Sequence, residues 1–475
     1  MSKAETNLWP FWLNSSNRTN ENWLNIFTII VPLFFVSWFI FSIKRQSKKK
    51  LPQPPGPRGL PLVGYLPFLD SNLHHSFINL ASIYGPIFKV QLGMKDCSVV
   101  TSPSLIKEVL RDKDVIFANR GDPIVVARSI YFGSMDIGFS DYGREWRKMR
   151  KIFVGEMMSN ARLDASFDLR KQHVKKMMYE IYRKAGQQVD IGELTFVTIG
   201  IERRVKMISS RCEAMFDSAI NHHNMGDTNK QKDFLGHLLQ LTKIEDPATS
   251  LTLPQVKAML MDTLIGGSDT TVAMVEWTMA EVLQHAQVMR KVQEELAEIV
   301  GLDSTVEEVH LPKLKYLNAV AKESLRLHPP VPLLVPHCAS EPSTIGGYSI
   351  PKGVRVFLHV YSIQRDPHIW EDPLLFKPER FLSGSATEKL DYLGNQFQYL
   401  PFGSGRRMCP GVSLAERTAM LVLASLLHAF QWKLPYGSVN IDTSERFGLV
   451  VKKAKPLLAI PSLRLSSLEL YSCKD

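Results

Sequence analysis

Cysteine is scarce. The five residues Cys97, Cys212, Cys338, Cys409 and Cys473 are widely spaced, odd in number and contain no C-x-x-C pair, so neither a disulfide framework nor a zinc ribbon is indicated. That pattern suits a domain in a reducing compartment. Internal repeats, low-complexity tracts and any Gly/Ser- or Pro-rich linker through the second half are also lacking, which leaves one large domain rather than a string of small ones. There is no G-x-G-x-x-G phosphate fingerprint, hence no sign of an internal flavin or nicotinamide domain. No recognised nucleic-acid motif accompanies the net charge of +10, so an anionic membrane or an acidic protein partner remains to account for it, and no nucleic acid. Disorder is not the default either. Hydrophobic residues make up 45% and charged residues 22% of the 475, ordinary values for a chain with a large core.

One stretch lacks charge altogether. Trp23 to Ile43 is apolar and, at about 1.5 Å per residue, long enough to cross a hydrocarbon core of about 30 Å. Lys44, Arg45, Lys48, Lys49 and Lys50 follow it, whereas Lys3 and Arg18 on the other side are offset by Glu5 and Glu21. This bias places the C-terminal side in the cytoplasm. The expected organisation is a lumenal tail over 1–22, a single transmembrane helix over 23–43, a basic and proline-rich linker over 44–58, and a catalytic domain over 59–475. A cleaved signal peptide is the alternative, disfavoured by the length of the run and the absence of a small-residue cleavage site. Asn14 and Asn17 head sequons on the lumenal side, close to the membrane. In Pro52-Gln53-Pro54-Pro55-Gly56-Pro57, fixed φ angles and missing N–H donors forbid helix and favour a stiff spacer.

Beyond it, Phe88 to Leu92 and Cys97 to Thr101 read as strands around the turn Gly93-Met94-Lys95-Asp96, and a second strand pair is expected at Tyr348 to Ile350 and Val354 to Leu358. Helical periodicity covers Pro254 to His285, Lys315 to Leu327 and Val412 to Phe430. The expected fold class is mainly α, of the α+β kind: a large helical domain with small β-sheets.

The densest signal is Phe402-Gly403-Ser404-Gly405-Arg406-Arg407-Met408-Cys409-Pro410-Gly411, which fits F-x-x-G-x-R-x-C-x-G. Five fixed positions of this kind would arise by chance about once in ten thousand chains of this length. Glycines allow a close approach of the backbone while freeing N–H groups to face a sulfur. A lone cysteine is ordinarily inert core packing; within this motif it is not. Here the sequence resembles the cytochrome P-450 superfamily, and in particular its plant microsomal members, from the anchor to near the C-terminus. The resemblance implies haem b held by Cys409 as axial ligand, with Phe402 beside the sulfur, Arg407 on a propionate, and Gly405 and Gly411 shaping the loop. Thiolate donation favours O–O cleavage.

Gly266-Gly267-Ser268-Asp269-Thr270-Thr271 falls inside a helical pattern, where paired glycines are costly unless space is needed. A capped helix start is the alternative. The resemblance makes Asp269 and Thr270 the acid and alcohol that deliver protons during dioxygen activation, and Thr270 can also bond back to a carbonyl and open the helix locally. Glu323 and Arg326 stand at i,i+3; the resemblance joins Arg380 to them in a buried network, where the bland reading is a surface pair. Trp146 and Arg150 match a W-x-x-x-R motif implied to contact a propionate, and His337 is a further donor or a plain loop histidine. By position, Ile265, Gly266, Leu333, Leu334, Val335, Phe447 and Leu449 are pocket candidates, or equally core.

Arg147, Lys148 and Lys151 near Arg150, and Arg406 beside Arg407, are either a solvated face or a patch for an acidic flavoprotein. The resemblance implies a haem monooxygenase on the endoplasmic reticulum membrane, taking NADPH electrons through a flavoprotein reductase, with O2 and a small apolar terpenoid or phenolic substrate. Rival readings are a haem-thiolate isomerase, disfavoured by the intact Asp269-Thr270 pair, and a haem-binding membrane protein with little turnover. One departure stands out. Between Arg150 and Asp269 the chain runs from Leu194-Thr195-Phe196-Val197-Thr198-Ile199-Gly200 straight to Ile201-Glu202-Arg203-Arg204. About forty to fifty residues of the family's substrate roof are missing, a few turns of one helix and most of another.

Overall fold

The computed structural model describes residues 30–38, 51–121, 135–198, 209–224, 234–385, 387–435 and 440–472. The chain divides into Met1–Pro52 and Gln53–Asp475. In the first unit, residues 30–38 are helical with exposed side chains; the rest of the expected anchor over 23–43, and the basic run 44–50, lie outside the described residues. In the second unit the proline-rich stretch is seated rather than free: Pro54 is buried and Lys89 N donates to Pro55 O at 2.7 Å.

Strand β1 (Ile87–Leu92) pairs antiparallel with β2 (Lys95–Val100), Leu92 facing Lys95 across a two-residue turn. Gly93 there has φ +60, open to glycine without strain. β2 runs parallel to β7 (Arg355–Leu358), which also pairs with β4 (His337–Cys338), giving the order β1-β2-β7-β4. The two later expected strands form but do not pair with each other. β6 (Tyr348–Ile350) pairs instead with β5 (Ser343–Ile345), because Gly346 and Gly347, at φ +56 and +80, supply the two left-handed positions of a tight hairpin. A further sheet joins β3 (Val189–Asp190), β11 (Leu458–Leu463) and β8 (Phe430–Lys433), and β9 (Glu445–Arg446) pairs with β10 (Lys452–Lys453).

The main helices are α1 (Leu73–Tyr84), α2 (Arg144–Ile152), α3 (Phe167–Arg183), α4 (Ile191–Thr198), α5 (Ser209–Asn224), α6 (Phe234–Leu241), α7 (Leu253–Gln284), α8 (Ala286–Val300), α9 (Lys315–Leu327) and α10 (Val412–Ala429). Helix α7 opens on a capping box in which Thr252 Oγ1 accepts from Gln255 N and Gln255 Oε1 accepts from Thr252 N, with Pro254 in the first turn. Every residue from Thr271 to Val282 is buried, so this half of α7 is a core helix on all sides. It packs on α4, α9 and α10. Among the described residues α10 is the helix long and apolar enough to cross a membrane. Its second half, from Ala419 onward, is buried in the main core, which accounts for its composition.

Helix α9 carries the expected network. Glu323 accepts from Arg326 Nε and Nη2, both at 2.8 Å, and from Arg380 Nε at 3.2 Å. Lys377 N donates to the same carboxylate at 2.9 Å. Arg326 spends its remaining N–H groups on the carbonyls of Gln364, Pro373 and Leu375. The three side chains are buried, so the surface-pair reading fails. Removing one partner of such a cluster strands charge in the interior, at a cost of about 3–5 kcal/mol. Glu323→Ala should therefore lower stability by about that amount and depress the yield of folded protein. Denaturation followed by circular dichroism checks this; an unchanged midpoint would show that the two guanidinium groups find other partners.

Candidate active site

The loop from Phe402 to Gly411 is closed by Cys409 N donating to Phe402 O at 2.9 Å and Met408 N donating to Gly405 O at 3.1 Å. Gly405 has φ +68, and a Cβ there would stand 2.3 Å from Leu110 O, so this glycine permits a close approach of two backbones. Gly411 lies just before α10, and its N–H faces the sulfur. Burial pushes the Cys409 thiol pKa up, while the Gly411 N–H and the Arg150 guanidinium oppose that rise. Arg150 Nη2 also holds the loop through Met408 O at 2.5 Å.

Cys409 opens onto a cavity of about 460 Å³. Phe402, Gly411, Arg150, Arg407 and His337 line it, as do Ile265, Gly266, Thr270, Leu334, Val335 and Leu449. A Cβ on Gly266 or Gly267 would meet nothing within 4 Å, so the paired glycines do border open space. Thr270 Oγ1 donates to Gly266 O at 2.5 Å, the expected back-bond, yet α7 stays helical throughout and no local opening accompanies it. Asp269 does not line the cavity. Its carboxylate meets Lys452 Nζ of β10 at 2.6 Å.

Basic groups gather at one side. Arg407 donates to the carbonyls of Ala118, Ile137 and Ser140 at 2.7, 3.1 and 2.6 Å and lies 4.2 Å above the Trp146 ring. Trp146 thus supports Arg407 from beneath, its Nε1 donating to Ile137 O at 2.9 Å, and is not in the cavity wall. Arg120, which spacing gave no reason to single out, donates to Gly138 O, Val335 O and Pro336 O and joins the lining. Burial lowers the pKa of Arg407 to about 10 and that of Arg120 well below its ordinary value, Arg407 adding to the latter by repulsion. His337 Nδ1 contacts Phe117 O at 2.8 Å; a carbonyl only accepts, so that nitrogen carries the proton. Burial, with Arg120 second, brings its pKa to about 3, and the ring is neutral.

Two pocket candidates belong to the core instead. Leu333 packs with Phe77 and Phe88, and Phe447 stacks on His74 at 5.5 Å. For Leu333 the cause is local: Leu334 sits at φ +50 in a turn closed by Leu334 N to Val331 O, which sends successive side chains to different sides. Asp262 belongs to no motif in the sequence, yet its Oδ2 accepts from Ile137 N at 2.7 Å and ties α7 to the loop before α2. The two basic segments meet on one phenol. Arg147 and Arg406 both donate to the Tyr142 hydroxyl, at 3.3 and 3.2 Å.

A thiol just before a helix, an apolar cavity and guanidinium groups among its lining residues fit haem. Comparison with known proteins agrees. The family model for cytochrome P450 matches residues 54–199 and 194–460. The two matches meet where the roof was expected to be short. Flavonoid 3'-monooxygenase from Arabidopsis thaliana is 32% identical, covering 92% of this chain and 97% of the relative. That alignment spans 497 positions, more than this chain contains, so the relative has residues without counterpart here. Salviol synthase from Salvia pomifera is 34% identical over 90% of this chain and 97% of its own. A zebrafish cytochrome P450 solved with abiraterone superposes with a TM-score of 0.72 at 26% identity, over 83% of this chain and all of that one. The chain belongs to the cytochrome P450 family and is a haem-thiolate monooxygenase.

Proposed function

We propose that this chain inserts one oxygen atom from O2 into a small apolar substrate of the terpenoid or phenolic class, with electrons drawn from NADPH through a membrane flavoprotein reductase. The observation that carries the reading is Cys409, set in its glycine loop at the mouth of α10 and open to an apolar cavity. When bound, haem supplies the activation of dioxygen and the oxygen insertion. The protein's part is to hold and shield. Cys409 would hold the haem iron; Arg407, Arg150 and Arg120 would bind its carboxylates, with His337 contributing once an anion offsets its environment. Ile265, Leu334, Val335 and Leu449 would exclude water and orient the substrate. The name of one relative, flavonoid 3'-monooxygenase, supports the phenolic substrate class. Arg147 and Arg406, joined at Tyr142, offer an acidic reductase a basic face. The organisation proposed is a single-pass anchor over 23–43 in the endoplasmic reticulum with residues 59–475 in the cytoplasm.

Asp269 and Thr270 act as the proton-delivering pair, and Lys452 is the positioning residue that holds the acid. Thr270 lines the cavity, while Asp269 beside it in the chain is held by Lys452 with its carboxylate partly open to solvent. A second reading is favoured by one observation. The family match breaks at 194–199, and the cavity wall includes Thr198 at the end of α4 together with Leu169 and His173 of α3. A roof short of its usual helices admits water, weakening substrate retention and the protection of reactive species. In that case the protein binds haem with little turnover.

Cys409→Ala should abolish the thiolate-type spectrum of the reduced carbon-monoxide complex. A spectrum like that of the parent protein would sink the assignment. Lys452→Met should leave haem content intact but send several-fold more NADPH to peroxide, change the solvent deuterium isotope effect on turnover, and be rescued by Lys452→Arg. Equal coupling and isotope effects in Lys452→Met would show that the ion pair does not position the acid. Inserting after Gly200 the corresponding stretch of a full-length relative should tighten substrate binding, read from the haem absorption shift, and improve coupling. If the natural chain already matches the restored one, the low-turnover reading is wrong.

A further inference from the structure

Away from the cavity, a second group of metal-ligating side chains has no part in the chemistry above. His74 and His75 of α1 both direct Nε2 at one carboxylate oxygen of Glu445 in β9, at 2.7 and 3.1 Å. The three ligand atoms all lie within 4.8 Å of one another. Tyr361 Oη stands 3.1 Å from His75 Nε2, a fourth potential donor atom at the same place. His74 is fully buried and Glu445 nearly so, whereas the His75 side chain is 44% exposed, which gives an ion a path from solvent.

The surroundings hold these groups in place. His359 Nε2 donates to His74 O at 2.8 Å, fixing the backbone of α1 at the site. Asn72 Oδ1 accepts from Phe447 N at 3.2 Å, fixing β9, and the Arg365 guanidinium lies 3.5 Å from the centre of the Tyr361 ring. As a set of hydrogen bonds the cluster is poorly finished. Two imidazoles compete for one oxygen, and His74 Nδ1 is buried with no partner among the described residues. As a metal site it needs little change. Zinc bonds of about 2.0–2.1 Å in a tetrahedron require ligand atoms about 3.3 Å apart, so the donor separations need change by at most about 1.5 Å. Two imidazoles and a carboxylate with one position left to solvent or phenol are a donor set suited to zinc.

We propose that His74, His75 and Glu445 bind one Zn²⁺ ion, which clamps the β9–β10 hairpin to α1. The same hairpin carries Leu449 into the cavity wall, so the ion fixes one edge of the substrate pocket from outside. The test uses the full haem-loaded chain, stripped with a chelator and titrated with Zn²⁺ against a chromogenic competitor. One zinc per chain is expected, with a zinc-edge absorption spectrum showing imidazole and carboxylate scattering, distinct from the iron edge. His75→Gln, a half-exposed position, should fold and take up haem normally yet bind zinc at least about 100-fold more weakly, since loss of an outer-shell partner alone costs 10–100-fold. Glu445→Gln should do the same. Zinc binding also should slow hydrogen exchange over 445–453. A chain that binds no stoichiometric zinc, a spectrum without imidazole scattering, or unchanged affinity in His75→Gln overturns the proposal; the last outcome would place the metal on other histidines.

Discussion

Buried guanidinium groups organise this molecule. From β7 to α10 the chain is largely irregular, and irregular backbone in an interior leaves carbonyls that secondary structure does not satisfy. Arg326 collects three of them, from Gln364, Pro373 and Leu375, and Arg380 takes Asp372 O. Arg407 collects three more from the segment before α2. Each arginine is costly to desolvate, and each offsets that cost only where its fork meets fixed oxygens. The result is that loops which regular structure would leave loose are located to within hydrogen-bond tolerance. The Cys409 loop is one of them: Arg150 holds Met408 O on one side and Arg407 anchors the turn itself.

What could be read in the sequence follows from range. The Cys409 loop is a local object whose glycines serve contacts a few residues away or a single close approach, and its spacing survives in one dimension. Helices α7, α9 and α10 announce themselves through periodicity and end within a residue or two of expectation. The Glu323 network was half local, as an i,i+3 pair, and half supplied by resemblance to the family. Features that depend on long-range pairing were not legible. Lys452 meets Asp269 through the placing of a two-residue strand, and no pattern in either segment encodes it. The exchange of strand partners at β6 turned on two glycines whose hairpin preference outcompeted a longer return to β7. Leu333 and Leu334 differ in fate because a single residue at φ +50 redirects the chain; periodicity is blind to that.

The β9–β10 hairpin cannot be held by its own hydrogen bonds. Two residue pairs form its ladder, Glu445 with Lys453 and Arg446 with Lys452, and a ribbon that short is unstable alone. Its position is set by side chains reaching outward from both strands. Glu445 binds α1, Lys452 binds Asp269 of α7, Lys453 lies 4.8 Å over the Trp277 ring, and Val451 N donates to Pro330 O at 2.8 Å. Between these anchors Leu449 enters the cavity wall. A displacement of Glu445 is therefore felt at Asp269 and at the substrate edge together, since the strands between them span only a few residues. The largely buried histidine–glutamate cluster at α1, the acid behind Thr270 and the apolar lining of the pocket are three faces of one short lever. Any force that fixes one end of it narrows the positions available to the other two.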